Sequence, residues 1–173
     1  MSPAEAIVAL AGEVRRVFAA QVDEAHGRGE VLAGLDAVLA EADVTLPAPR
    51  TLDACRHLDA ALANARAAGL GGIAAAIDHA RPNLHWVTYD SYPPEDIGLR
   101  FARSHAFAEI IGPGAAIEAA DYALGLFIIG PQVLYRDRHH PAPELYLPLT
   151  GPTRWRFGAR GAWETRAAGE PVW

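Results

Sequence analysis

A chain of 173 residues, 51% of them apolar, is long enough for one well-buried core and short for a second independent domain. Its net charge of −6 and pI near 5.6 exclude the basic stripe that nucleic acid or an anionic membrane needs, which leaves a small molecule as the expected partner. All fifteen basic residues are arginine, so Schiff-base catalysis and pyridoxal phosphate chemistry are excluded. No apolar run approaches the length of a membrane span and the start lacks a leader pattern, so we expect a soluble, cytoplasmic protein. The single cysteine, Cys55, rules out a disulfide framework and reads as a small buried apolar residue.

In chain order, Ser2, Pro3 and Glu5 form an N-cap, a first-turn proline and an early acid. Ile7, Leu10, Val14, Val17 and Phe18 then repeat at helical spacing, which predicts a first helix to about Val22. Val31, Leu32, Leu35, Val38 and Leu39 predict a second. Pro47 and Pro49 break the chain, Leu52 to Ala65 marks a third helix ending near Gly69, and Ile73 to Ala80 adds a short fourth turn. His57 and His79 lie beside Asp53 and Asp78 in helical segments, where a solvated or capping role outweighs a catalytic one.

From Leu84 the period changes and Gly/Pro punctuation becomes dense. His85 to Tyr89, Phe107 to Ile111, Tyr122 to Ile129, Val133 to Arg136, Glu144 to Leu149, Arg154 to Phe157 and Ala162 to Arg166 are predicted strands. The expected fold is therefore α+β, with an N-terminal helical region over residues 1–83 and a β sandwich or barrel over 84–173.

The segment Gly130 to Gly151, GPQVLYRDRHHPAPELYLPLTG, concentrates ligand and acid/base groups. His139, His140 and Glu144 are expected on a hairpin between the strand-like runs 124–129 and 145–149. Residues two apart share a strand face, which places Glu144 beside Tyr146. Imidazole with carboxylate suits a borderline divalent ion such as zinc, iron, manganese, nickel or cobalt.

The spacing of Gly130, His140, Glu144 and Gly151 resembles the first motif of the cupin superfamily. His140-Pro141-Ala142-Pro143-Glu144-Leu145-Tyr146, with Tyr135 before it and Leu149-Thr150-Gly151 and Trp155 after it, is similar to bacterial cupin-type dimethylsulfoniopropionate lyases. The phrase from Arg100-Phe101-Ala102 through His105 to Pro113 resembles them too, so the likeness covers roughly residues 84–173. It implies a single cupin barrel after the helical region, with its ligand strands facing inward. It also implies a lyase that forms dimethyl sulfide and acrylate, His140 and Glu144 as metal ligands, Tyr146 as catalytic base and Tyr135 as a second tyrosine facing the substrate.

Two departures from the pattern alter what is expected. Arg138 stands where these lyases have a first histidine, and His139 is displaced by one position; either a bulge brings His139 to the metal or the site has one ligand fewer. Arg138 could then clamp a substrate carboxylate, and Trp155 or Tyr135 could offer a face to a substrate cation. The family's remaining ligand histidine belongs to a second motif beyond residues 169–173, so a fragment with an incomplete barrel is expected. The competing reading is a metal-binding cupin that acts on, or senses, a different small carboxylate.

Overall fold

The computed structural model describes residues 1–21, 27–89, 92–136 and 140–173. Helix α1 (Pro3–Gln21) starts with a reciprocal cap: the Ser2 hydroxyl accepts from the Glu5 N–H at 3.3 Å, and the Glu5 carboxylate accepts from the Ser2 N–H at 2.6 Å. Its buried stripe, Ile7, Leu10, Ala11, Val14, Val17 and Phe18, follows the spacing read from sequence. That stripe packs on α2 (Arg28–Ala40) and on α4 (Gly71–Ala80), while α3 (Leu58–Ala67) also packs on α4. The Arg15 and Asp36 side chains pair between α1 and α2.

The third helix is shorter at its start than the sequence predicts. Asp53–His57 is a 3-10 turn, and α3 begins only at Leu58. Its end does fall near Gly69, whose φ of +83° lets the Leu70 N–H reach back to the Ala65 carbonyl at 2.9 Å. The expected short fourth turn is a ten-residue helix, because Ile73, Ala74, Ile77 and Ala80 supply a complete apolar face. Two short helices, α5 (Pro94–Ile97) and α6 (Leu99–Ala102), were not anticipated. No helix among the described residues is long and apolar enough to cross a membrane.

The β elements are fewer than predicted. Strand β1 (His105–Ile111) pairs antiparallel with β2 (Leu124–Ile129), Phe107 lying opposite Phe127. On its other edge β1 exchanges two hydrogen bonds between Phe107 and Val87, all that forms of the predicted strand 85–89 beyond a bridge from His85 to Arg50. Alternation gives β1 two faces: Ala106, Ala108 and Ile110 are buried in the core that the helices share, and His105 and Phe107 point to the opposite side.

Strand β3 (Thr153–Trp155) pairs antiparallel with β4 (Glu164–Arg166). The pairing resumes farther out, where Tyr146 and Val172 exchange N–H to carbonyl bonds of 2.8 and 2.9 Å, and the Gly169 N–H reaches the Pro148 carbonyl. Residues 146–155 and 164–172 are thus the arms of one irregular ribbon. Pro148 and Pro152 each lack a donor, which interrupts the ladder between its two paired ends.

Two of the predicted strands do not form as expected. Val133–Arg136 is not a strand, and among the described residues Glu144–Leu149 forms no hairpin with β2, since the backbone bonds of Tyr146 go to Val172. The class is α+β. Among the described residues the two sheets have two strands each and do not close.

Candidate active site

Of the two glycines that frame the segment, Gly151 leaves no room for a side chain and Gly130 leaves only a tight space. A Cβ on Gly130 would lie 3.2 Å from the Ser104 side chain and 3.4 Å from His57 Nε2, and one on Gly151 would lie 2.7 Å from the Ala168 backbone nitrogen. Gly130 is anchored to the end of the α6 turn through its N–H bond to the Ser104 carbonyl, and Gly151 lets the two ribbon arms approach.

Between them the chain gathers His140, Glu144 and Tyr146. The Tyr146 phenol donates to Glu144 Oε2 at 2.8 Å, and His140 Nε2 lies 3.2 Å from Glu144 Oε1. One carboxylate is therefore shared by an imidazole and a phenol. The two-residue spacing of an extended chain is what sets Glu144 and Tyr146 side by side. The His140 and Glu144 side chains are 45% and 48% exposed. With both that open, each can turn toward a shared ion.

Tyr146 is half-buried, and its phenol is pushed well above the ordinary value of 10. Burial is the largest cause, followed by the hydrogen bond to Glu144 and that carboxylate's charge, with smaller contributions from Tyr135 and Tyr89. In the protein by itself the phenol is held protonated. The Trp155 indole lies against it, ring centres 5.2 Å apart and planes at 53°.

Tyr135 stacks on Phe101 with centres 4.7 Å apart and planes within 6°, and meets the edge of Phe127 at 5.4 Å. Phe101 in turn stacks on His105 at 4.1 Å, and His105 on Tyr89 at 5.3 Å. His105, fully buried, lies 2.7 Å from the Phe101 carbonyl through Nδ1 and accepts from the Tyr89 N–H at 2.9 Å through Nε2. Those contacts define a neutral tautomer with the proton on Nδ1. The neighbouring Arg136 guanidinium donates to the Glu95 and Asp96 carbonyls at 2.8 and 3.0 Å, which ties the Tyr135 segment to α5.

The predicted residues thus fall into two neighbouring groups, His140/Glu144/Tyr146/Trp155 and Tyr135 within the aromatic cluster. Arg138 and His139 lie outside the described residues. Among the described residues no three His, Cys, Asp or Glu side chains gather as a metal-binding group. The donors at hand are one imidazole nitrogen, one carboxylate and the phenol oxygen beside it, a set chemically suited to a borderline divalent ion.

The sequence reading did not single out Tyr89, Phe101, His105 and Phe127 as neighbours of this site. The available signal was alternation, since His105 and Phe107 share one face of β1 and Phe127 stands opposite Phe107.

No curated protein and no solved structure matches the chain. A family model described as dimethylsulfoniopropionate lyase matches residues 24–173, which include α2 to α6, all four strands and every residue of the candidate site. The chain belongs to the dimethylsulfoniopropionate lyase family.

Proposed function

We propose that this chain is a metal-dependent carbon–sulfur lyase that cleaves dimethylsulfoniopropionate to dimethyl sulfide and acrylate, and that its two sheets are parts of a cupin barrel. The observation that carries the reading is the contact of Tyr146 with Glu144, beside His140, inside the stretch matched to the lyase family. His140 and Glu144 would hold the ion, with His139 as a further ligand and Arg138 as a clamp for the substrate carboxylate. A divalent ion bound there supplies positive charge that offsets Glu144 and draws electron density from a substrate carboxylate.

Tyr146 would act as the base. With the charge of a bound cation beside it the phenol would first lose its proton, and the phenolate oxygen would then take a proton from the carbon next to the substrate carboxylate as the electron pair becomes the new C=C bond and the C–S bond breaks. Dimethyl sulfide leaves as a neutral thioether from a sulfonium, so its departure needs no proton donor. The faces of Tyr135 and Trp155 suit the sulfonium cation.

The test supplies dimethylsulfoniopropionate to the protein loaded in turn with zinc, iron, manganese, nickel or cobalt, and measures both products. Equal release of dimethyl sulfide and acrylate is expected with at least one metal. A protein that binds metal and releases neither is a metal-binding protein for another small carboxylate.

A further inference from the structure

Strand β3 and the residue after it sort their side chains by alternation. Arg154 and Arg156 lie on one side, with the guanidinium groups 5.1 and 5.0 Å from the centre of the Trp163 ring. Thr153 and Trp155 share the other side, and their polar atoms meet: the Trp155 indole Nε1–H donates to the Thr153 hydroxyl at 2.9 Å. That hydroxyl donates onward to the Arg166 carbonyl across the ribbon at 3.4 Å. A hydroxyl has one proton to give and lone pairs to receive, so these two bonds fix its orientation. They also fix the indole, which has a single donor.

The held indole is the one that lies against Tyr146 at 5.2 Å. Two contacts constrain the phenol, Glu144 at its oxygen and Trp155 at its ring. The first sets where the oxygen points and the second sets how far the ring can swing.

We infer that Thr153 is a positioning residue for the lyase reaction, holding the Trp155 indole through its hydroxyl and thereby the ring of Tyr146. The inference rests on Tyr146 being the base. Thr153 itself touches no reacting atom on this account; its contribution is to the alignment of a proton transfer, in which a small displacement is costly.

Valine has the shape of threonine without the hydroxyl, so Thr153→Val removes the bonds and keeps the packing. The expected result is a fall in kcat of about 10-fold, with KM, metal content and melting temperature unchanged and the rate restored in Thr153→Ser. In the Tyr146→Phe background Thr153→Val should cost nothing further, because there is no base left to align. A readout independent of activity is the indole N–H resonance of Trp155, identified by its disappearance in Trp155→Phe. It should move upfield in Thr153→Val and return in Thr153→Ser. A moved resonance with unchanged kcat overturns the inference, as does a loss confined to KM or one that Thr153→Ser fails to restore. A wild-type protein inert toward dimethylsulfoniopropionate overturns the lyase reading itself, and is told apart by failing before any variant is made.

Discussion

Tyr146 and Glu144, two residues apart in the chain, are joined by a 2.8 Å bond in which the phenol is the donor. A phenol that donates to a carboxylate is protonated, and burial strengthens that preference. Tyr146→Phe removes only the oxygen. Turnover should fall by at least about 100-fold with metal content unchanged, read by dimethyl sulfide release and metal analysis. Because the phenol is raised above 10, activity should climb with pH toward the alkaline side. A flat profile from neutral to alkaline pH would remove Tyr146 from the role of base.

Metal retention should depend on both acidic and imidazole donors. His140 and Glu144 each supply one of very few ligands, so His140→Ala and Glu144→Ala should each copurify with sharply less metal than wild type. Glu144→Ala also frees the Tyr146 phenol from its acceptor, which predicts a second consequence: the phenol should ionise at lower pH than in wild type. Ultraviolet titration of the phenol reports that shift, and full metal content in both alanine variants would dismiss the site.

Much of the helical layer was legible because one face of α1 alone carries Ile7, Leu10, Val14 and Val17, a signal that tertiary packing reinforces. The β region was less so. Val133–Arg136 has the composition of a strand, yet its Tyr135 is drawn onto the Phe101 ring and its Arg136 onto the α5 carbonyls. Glu144–Leu149 alternates like a hairpin arm, but the partner of Tyr146 is the remote Val172. Local pattern shows that a segment is extended and says little about what it pairs with. The Glu144/Tyr146 contact was legible for the opposite reason: it depends on a spacing of two and on no distant partner.

Alkaline stability should report on Tyr122, whose hydroxyl donates to the Val31 carbonyl of α2 at 3.0 Å. Burial, with a smaller push from Asp36, raises this phenol to about 12. An acid whose folded value exceeds its unfolded value near 10 keeps its full contribution below pH 10 and loses it as pH rises through about 12. Tyr122→Phe should cost about 1 kcal/mol at neutral pH, the net worth of one hydrogen bond. Urea melts should show that gap closing between pH 10 and 12, and a gap that stays constant would mean the phenol is not held by this bond.

Gly34 faces the same tyrosine from inside α2. Alanine at a helix interior normally stabilises relative to glycine by up to about 1 kcal/mol, since glycine loses more backbone freedom on folding. Here a Cβ on Gly34 would come within 2.5 Å of Tyr122 Cδ2 and 2.6 Å of Cε2, and the ring cannot simply swing away while its hydroxyl holds Val31. The clash should outweigh the propensity gain, so Gly34→Ala is expected to destabilise by about 1 to 3 kcal/mol. Deleting the ring separates the two effects. In a Tyr122→Ala background the same substitution meets open space and should become neutral or stabilising, giving a coupling of opposite sign to simple additivity. Were Gly34→Ala equally destabilising in both backgrounds, the glycine would be needed for its own backbone and not for the approach of Tyr122.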